Sequence, residues 1–184
     1  IQNMLARVDL PMTRVEIRTD DGGNSLGLEL ANMTLKNLLV TRMYADAEFG
    51  RAFRYDSEDI RMARQNEMLA AKHGLKAKVA NPFTGKPVNM RDFLRWTLEE
   101  VRPLAEALGQ WDDLSPLADM AAGAPNTADH LREEVRAEIG DREEVPADVF
   151  QAIVEKHEQM LAGEIDTIAS SVALWDDEKE KLGD

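Results

Sequence analysis

The sequence predicts an α+β protein in which one or two strands precede a mainly α-helical region. Two observations lead to this fold class. Residues 12–19 alternate polar and β-branched side chains with a period of two, which is typical of a strand with one apolar face. From about Ser25 onward, apolar residues recur at helical spacing, interrupted by glycine and proline breaks.

The predicted strand has Val15 and Ile17 on one face and a charged set on the other, formed by Arg14, Glu16 and Arg18. A turn cluster at residues 20–24 follows it. A single strand leaves its backbone hydrogen bonds unsatisfied, so it needs a partner. We expect that partner to come from residues 1–10, from residues 75–80, from another chain or from a missing upstream region.

The first predicted helix runs from about Ser25 to residue 46, and a second runs from Asp56 or Ser57 to His73, where Gly74 ends it. Seven apolar residues form the stripe of the first helix: Leu26, Leu30, Met33, Leu35, Leu38, Leu39 and Met43. Residues 75–80 read as a short extended segment. The loop at 81–87, which includes Lys86, is interpreted either as a phosphate-facing lid or as a rigid turn.

Four further helices are predicted. One begins at a capping box formed by Asn89 and Asp92, continues to about Leu108 and is kinked by Pro103. The others span about 113–122, 126–140 and 146–181. In the last helix a single stripe is expected to face the core, made of Val149, Ile153, Met160, Leu161, Ile165, Ile168 and Val172.

Composition limits the functions that the chain can have. The 184 residues suit one domain or a large piece of a bigger one, and the absence of cysteine excludes disulfides, thiolate metal sites and a cysteine nucleophile. The net charge is −13, of which residues 103–184 carry −15 and residues 1–102 carry +2. This charge disfavours nucleic acid and anionic membranes as partners. A cytoplasmic location is expected by default, because the sequence shows neither a signal-peptide pattern nor an apolar run of about 18 residues. The first half could receive an anionic small molecule.

The charged face of the first strand is the candidate site. A carboxylate at Glu16 can ligate Mg²⁺ or Mn²⁺, which prefer oxygen ligands. The guanidinium groups of Arg14 and Arg18 can hold phosphate or carboxylate oxygens in pairs. The alternative interpretation is a solvated strand face whose charges neutralise one another.

The order of these motifs resembles the late strand-and-helix segment of the glutamine synthetase superfamily. There the pattern Arg-hydrophobic-Glu-hydrophobic-Arg is followed by a short acidic turn and an Ala/Leu-rich helix, as at Arg14–Arg18, Asp21, Asn24 and the helix from Leu26. The similarity is greatest to the carboxylate–amine ligases related to bacterial and plant glutamate–cysteine ligases.

Later segments extend this resemblance over roughly residues 13–135. Residues 63–75 resemble the family pattern Arg-x-x-Asn-x-x-x-Ala-Ala-Arg-Tyr-Gly-Leu, with matches at Asn66, Ala70, Ala71, Gly74 and Leu75. Met68, Lys72 and His73 depart from it. A helix like residues 90–109 and a glycine break before a helix bearing Arg132 also occur in the family.

The resemblance implies roles for the strand residues. Glu16 would be a metal ligand, Arg18 would contact the substrate carboxylate or the transferred phosphoryl group, and Arg14 would lie near the nucleotide. It implies ATP with Mg²⁺ or Mn²⁺ as cofactors and small amino acids as substrates. In the family reaction ATP phosphorylates a carboxylate, usually the γ-carboxylate of glutamate, and an amine then attacks the acyl phosphate.

The resemblance also implies an incomplete site, because the remaining metal carboxylates of these enzymes lie on earlier strands. We therefore expect a glutamine-synthetase-like C-terminal portion, with 1–24 as the strand and turn of an incomplete catalytic sheet and 25–184 as the helical region of the same domain. A missing N-terminal region or a second chain would complete the sheet, and a homo-oligomer is open. The alternative is a non-catalytic acidic helical module that docks a protein partner.

Other polar residues receive structural interpretations. The histidines at 73, 130 and 157 lack metal-ligand spacing and are interpreted as surface or cap residues. Trp96, Trp111 and Trp175 are interpreted as core or interface anchors. The roles of Arg61, Arg64 and Arg132 stay open.

Overall fold

The computed structural model describes residues 6–9, 14–17, 25–51 and 57–182, with backbone only for the first two of these segments and for residues 50–51 and 171–182. Two short antiparallel hairpins and seven α-helices make up the described chain. The strands are β1 (Ala6–Asp9), β2 (Arg14–Ile17), β3 (Lys78–Ala80) and β4 (Pro87–Asn89). The helices are α1 (Leu26–Ala45), α2 (Ala47–Arg51), α3 (Ser57–His73), α4 (Met90–Ala107), α5 (Ser115–Ala122), α6 (Thr127–Ile139) and α7 (Ala147–Leu182).

The strand predicted at residues 12–19 is β2, and its partner is β1. Of the four alternatives left open for the partner, residues 1–10 supply one side of β2. Residues 75–80, the second candidate, belong instead to a separate hairpin in which β3 pairs with β4. The strand β4 was not predicted, because a three-residue segment that begins with proline has no readable alternation.

The N-terminus of α1 forms as the sequence predicts. Ser25 has extended backbone angles, and its hydroxyl accepts a hydrogen bond from the Leu28 backbone N–H at 3.4 Å. The predicted apolar stripe is wrong in part, because Leu30 and Met33 are exposed. The face that packs inward is marked by the small residues Ala31 and Thr34, together with Leu38.

The hydrophobic core lies where α1, α4 and α5 meet. Ala31 and Ala105 let the helices approach closely, and Leu114, in the 3-10 turn before α5, fills the space between them. The buried members of this cluster are Ala31, Leu38, Leu98, Val101, Ala105, Leu114, Leu117 and Ala121. Trp111 packs against the cluster, with the Arg102 guanidinium 3.9 Å from its ring centroid, so its predicted anchoring role is confirmed.

The start of α4 differs from the predicted capping box. Asn89 is the last residue of β4, and its side-chain amide donates to the Asp92 carboxylate at 3.2 Å rather than accepting from the helix backbone. The hydrogen bonds from Arg95 and Asn89 hold the pKa of Asp92 below its usual range. Further along, α4 is assigned as one helix through Pro103, and the kink stays a prediction.

Two arginines of α4 join it to the end of α5. Arg91 donates to the carbonyl oxygens of Met120 and Ala124, the latter at 2.8 Å, and Arg95 donates to the carbonyl oxygen of Ala121 at 2.8 Å. The last carbonyl groups of a helix have no partner within the helix, so these guanidinium groups satisfy them. Both arginines therefore have a structural role.

The side chain of Asn66, which matches the family pattern, connects α3 to the second hairpin. Its amide donates to the Ala80 carbonyl oxygen at 2.7 Å, and its carbonyl oxygen accepts from the Ala80 backbone N–H at 2.8 Å. An asparagine amide can make this paired contact because it carries a donor and an acceptor side by side. The contact continues the hydrogen bonding of β3 onto a helix.

We expect Asn66→Ala to lower the free energy of unfolding by about 1–3 kcal/mol, because both Ala80 backbone groups lose their partner in a half-buried place. Urea denaturation followed by circular dichroism measures the change. Gln65→Ala is the matched control, since that side chain is an exposed neighbour on the same helix. Equal losses in the two variants would mean that the paired bonds contribute nothing specific.

The final two helices form a hairpin with arms of unequal length. α6 has 13 residues and α7 has 36. Ile153 of α7 is buried, as predicted, whereas Met160, Ile165 and Ile168 are about half exposed. The prediction of one core-facing stripe along α7 is therefore wrong at Met160, Ile165 and Ile168, and the side chain of Val172 lies outside the described residues. The 13-residue α6 is too short to cover the whole of α7. None of the helices in the described chain is long and apolar enough to cross a membrane.

Candidate active site

The predicted site lies on β2, of which the structure describes Arg14 and Glu16. In the antiparallel register Arg14 lies opposite Asp9, and Glu16 lies opposite Arg7. Residues opposite each other on paired strands share a face, so positions 7, 9, 14 and 16 form one charged patch of the hairpin. Arg18 lies outside the described residues.

This register has two chemical consequences. Oppositely charged residues stand across from each other, which favours the pairing of β1 with β2. It also adds a second arginine, Arg7, and a second carboxylate, Asp9, to the face that the sequence singled out. The sequence analysis missed both of these positions, and the signal that could have found them is the same alternation of charged and apolar residues in the segment Ala6–Asp9.

The first turn of α1, which follows β2 in the chain, is held by a carboxylate from the distant helix α7. The Leu26 backbone N–H donates to Oε2 of Glu164 at 2.6 Å, across 138 positions of sequence. A negative charge is favourable at this place, because the first backbone N–H groups of a helix are unpaired and its dipole is positive there. Glu164 thus fixes the start of α1 against α7.

A second polar contact lies close by, between α6 and α7. The Glu134 carboxylate accepts a hydrogen bond from Lys156 and shares another, 2.8 Å long, with Nε2 of His157. The hydrogen bond from Lys156, followed by that from His157, keeps the pKa of Glu134 below its usual range. Nδ1 of His157 is buried and has no hydrogen-bond partner among the described residues. His157 is therefore a helix-joining residue and not the surface or cap residue that we predicted.

Glu134 and Lys156 of this second contact border an open cleft of about 410 Å³, which Ser25 also lines. Apart from Met160, its lining consists of residues whose side chains can donate or accept hydrogen bonds: Ser25, Thr127, His130, Glu133, Glu134 and Lys156. Within the described ranges, no three His, Asp or Glu side chains lie close enough to hold a metal ion. The cleft can thus hold a polar organic group through hydrogen bonds, but its described residues do not form a metal site.

The four cations with open roles lie in three separate places. Arg61 and Arg64 are on the exposed face of α3, and Arg61 is 3.7 Å from the carboxylate of Glu58. Arg132 pairs with Asp129 on its own helix at 3.1 Å. Lys86 is exposed near the end of the β3–β4 loop.

The loop that contains Lys86 is organised by Asn81. The Asn81 side-chain oxygen accepts from the backbone N–H groups of Phe83 and Thr84, at 2.8 and 3.2 Å. Its backbone N–H donates to the Lys86 carbonyl oxygen at 2.9 Å. Such a closed turn favours the rigid-turn interpretation of this loop over the lid interpretation.

Comparison with known proteins gives a family. The model of glutamate-cysteine ligase family 2 matches residues 6–165. A protein of Thermobifida fusca (strain YX) named "Putative glutamate--cysteine ligase 2" is 31% identical over 106 residues, which are 58% of this chain and 26% of that protein. A protein of Frankia alni named "Putative glutamate--cysteine ligase 2-3" is 41% identical over 59 residues, which are 32% of this chain and 7% of that protein.

The matched segment thus spans about a quarter or less of the length of these curated relatives. The family model, by contrast, matches most of this chain. The matched residues include both hairpins, helices α1 to α6 and the first half of α7. It also includes Arg14, Glu16 and Asn66, on which the sequence resemblance depends. The chain belongs to glutamate–cysteine ligase family 2.

Proposed function

We propose that this chain is part of an ATP-dependent carboxylate–amine ligase of the glutamate–cysteine ligase type. Membership of the family over residues 6–165 is the observation that carries the proposal. The proposed fold is the C-terminal portion of a glutamine-synthetase-like domain, in which residues 1–24 add to a catalytic sheet and residues 25–184 form the helical region.

The proposed reaction has two steps. A carboxylate oxygen, for example of the γ-carboxyl group of glutamate, attacks the γ-phosphorus of ATP, and the bond to ADP breaks. The amine of the acceptor then attacks the acyl phosphate, phosphate leaves, and the nitrogen loses a proton. The difficulty lies in the negative charge that gathers on the transferred phosphoryl group, and cationic side chains lower that barrier.

Each residue of the charged strand face has a proposed part. Arg14 lies near the nucleotide phosphates, and Arg18 binds the substrate carboxylate or the transferred phosphoryl group, because a guanidinium group pairs with two oxygens at once. Glu16 offers a carboxylate to Mg²⁺ or Mn²⁺, and such an ion, when bound, would neutralise phosphate charge. The alternation of residues 14 and 16 on β2 agrees with a shared face for these groups.

The metal fits this chain only in part. Glu16 is a ligand of the type that Mg²⁺ prefers, but one carboxylate does not hold the ion alone. The described residues contain no cluster of three candidate ligands. The other ligands are proposed to come from a missing N-terminal region or from a second chain that completes the sheet, and the matched segment covers only 26% and 7% of the two relatives.

Binding of MgATP to the chain tests this proposal directly. At a concentration about 100 times its dissociation constant, MgATP is expected to add about 2.7 kcal/mol to the free energy of unfolding. For a chain of this size that corresponds to a rise of about 5–10 °C in the melting temperature. Differential scanning fluorimetry at millimolar nucleotide measures it, with ATP plus a chelator as the blank.

Two variants make the measurement specific. Glu16→Gln is expected to remove the part of the shift that depends on Mg²⁺, because the amide carries no charge for the ion. Glu67→Gln makes the same chemical change at an exposed position of α3 and is expected to leave the shift intact. An unchanged melting temperature of the native chain at every MgATP concentration would contradict nucleotide binding.

The second candidate function is a non-catalytic acidic helical module that docks a protein partner. The exposed Ile165 and Ile168 on the long helix α7 favour it, since apolar side chains in a row on a helix are a common docking surface. This function predicts no stabilisation by MgATP. Stabilisation of the chain by MgATP would therefore speak against this second candidate.

A further inference from the structure

The open cleft beside Ser25 is formed by three parts of the chain that are far apart in sequence. Its lining consists of Ser25 before α1, of Thr127, His130, Glu133 and Glu134 in α6, and of Lys156 and Met160 in α7. The volume of about 410 Å³ lies in the range of small-molecule sites. Because its walls belong to different elements, the cleft depends on the tertiary fold and is not the surface of a single helix.

Three of the lining side chains already have partners. The Ser25 hydroxyl accepts a hydrogen bond from the Leu28 backbone N–H, so its own proton is available for donation. Glu134 accepts a hydrogen bond from Lys156, so these two charges offset each other. Because the hydrogen bonds from Lys156 and then His157 hold the pKa of Glu134 below its usual range, the pair stays charged at neutral pH.

Three other lining side chains have no hydrogen bond or ion pair with any residue that the structure describes. They are Thr127, His130 and Glu133, which follow each other at intervals of three along α6. Residues at this spacing share one side of a helix. Thr127 and Glu133 are six residues, or about 9 Å, apart along the helix axis. The α6 wall of the cleft therefore has a free hydroxyl group at one end and a free carboxylate at the other.

Helix α7 runs antiparallel to α6, so the two ends of the cleft differ. Lys156 of α7 pairs with Glu134 at the carboxylate end. Met160 lies one turn further along α7, toward the Thr127 end of α6. Ser25 lies at that same end, because it lines a neighbouring cleft together with Met160 and the next turn of α7. The hydroxyl groups of Ser25 and Thr127 therefore stand at one end of the cleft.

The charges around the cleft favour a cationic ligand over an acidic one. At one end, the Glu133 carboxylate has no basic partner among the described residues. Beyond the other end, the Glu164 carboxylate lies at the Leu26 backbone N–H, and it too has no basic partner in the described ranges. A ligand carboxylate would meet repulsion from both groups, whereas an ammonium group is attracted to Glu133. A zwitterion thus gains less than a cation that has a neutral polar end.

From this arrangement we propose that the cleft is a binding site for a small primary amine that also carries a neutral hydroxyl or amide group. The ammonium group donates to the Glu133 carboxylate, and the neutral group exchanges hydrogen bonds with the hydroxyls of Ser25 and Thr127. Between the two ends, the carbon chain of the ligand contacts Met160. Such binding needs no metal and does not depend on the ligase reaction.

Titration of the ¹⁵N-labelled 184-residue chain, followed by two-dimensional NMR, tests the proposal with 4-amino-1-butanol as the probe. Saturable shifts of backbone amide signals are expected at the lining residues, with a dissociation constant of about 1–10 mM. Three four-carbon analogues of the probe separate the contributions of its groups. The analogue 1-butanol lacks the ammonium group and butylamine lacks the hydroxyl, whereas 4-aminobutyrate carries a carboxylate instead.

The analogues are expected to bind more weakly in a definite order. Both 1-butanol and 4-aminobutyrate lose about 10-fold or more in affinity, because one lacks the charge-assisted hydrogen bond and the other meets the repulsion of the carboxylates. Butylamine loses about 3–10-fold, the scale of one neutral hydrogen bond.

Two variants assign each half of the probe to its end of the cleft. Glu133→Gln is expected to weaken 4-amino-1-butanol binding by about 10-fold, because the neutral amide accepts a weaker hydrogen bond than the carboxylate. Thr127→Val removes the hydroxyl and keeps the shape, so it is expected to weaken 4-amino-1-butanol by about 3–10-fold and butylamine not at all. Glu138→Gln is the matched control, since it makes the same chemical change at an exposed position of α6 outside this cleft.

Three kinds of result would overturn the proposal. An absence of saturable shifts at probe concentrations up to about 100 mM would mean that the cleft binds no such amine. Equal affinity for 4-aminobutyrate would contradict the preference for a cation. Native affinity in Glu133→Gln, or shifts confined to residues away from the lining, would place the bound amine elsewhere. Circular dichroism of each variant distinguishes a loss of binding from a loss of helix.

Discussion

Glu16→Gln is expected to lower ATP-dependent ligation by at least about 10²–10³-fold in the protein that carries the complete site, the scale of loss when one group that stabilises developing charge is removed. The glutamine keeps the size of the side chain and removes its charge, so the proposed metal site loses a ligand. The strand should persist, since the change leaves the backbone pairing of β1 with β2 unaltered. Release of ADP in the presence of glutamate and an amine measures the rate.

Glu67→Gln is the control that makes the same chemical change away from the proposed site. Glu67 lies exposed on α3, and its replacement is expected to leave the rate within about twofold of the native value, as is usual for surface changes away from a site. Raising the Mg²⁺ concentration should recover part of the rate in Glu16→Gln if the loss is one of metal affinity. A Glu16→Gln enzyme with native turnover would remove Glu16 from the proposed machinery.

The elements of this fold were predictable where a local signal exists. Ser25 caps α1, and Gly74 adopts a positive φ of 55° directly after α3, as the sequence indicates. A Cβ atom at position 74 would also lie 3.3 Å from the Asn126 side chain, so space and conformation both favour glycine there. Such signals depend on a few neighbouring residues, and a sequence contains them in full.

The inward faces of the helices were less predictable, because they depend on what packs against them. Helix α1 has apolar residues around most of its circumference, and the side that packs on α4 and α5 is chosen by the small residues Ala31 and Thr34. The large residues Leu30 and Met33 point outward in consequence. A count of hydrophobic residues favours size, whereas close packing of helices favours a small residue at the crossing point.

The buried positions of the long helix α7 also depend on what packs against it. His157 stands between Val154 and Leu161 at intervals of three and four, within the stripe that packs on α6. That position could have indicated a half-buried residue with a polar partner. Its partner Glu134 is 23 residues away, and only the length of the α6–α7 turn brings the two together. Pairings of this kind are not visible in local patterns.

Some residues of the candidate site could be predicted from local sequence, and others were found only through the pairing of distant segments. The alternation at Arg14, Glu16 and Arg18 is local and was read from the sequence, while Arg7 and Asp9 joined the site through strand pairing. Glu164 reaches the start of α1 from 138 positions away. The metal role of Glu16 and the substrate role of Arg18 rest on resemblance and stay predictions.

Leu114 is the residue whose loss should most reduce the stability of the helical region. It is fully buried, in the turn between α4 and α5, and belongs to the cluster that joins those helices to α1. A leucine in such a place makes dispersion contacts with several elements at once. Truncation to alanine removes those contacts and leaves a cavity. Because α1, α4 and α5 pack on one another, they cannot move inward to fill it.

Leu114→Ala is therefore expected to lower the free energy of unfolding by about 3–5 kcal/mol, which for a chain of this length lowers the melting temperature by about 6–20 °C. Leu108→Ala is the matched control, because that side chain is 57% exposed at the end of α4 and should cost less than about 1 kcal/mol. Urea denaturation of both variants gives the difference. Similar losses at the two positions would mean that the cluster of α1, α4 and α5 does not hold the helical region together, and the arrangement of these helices would have to be revised.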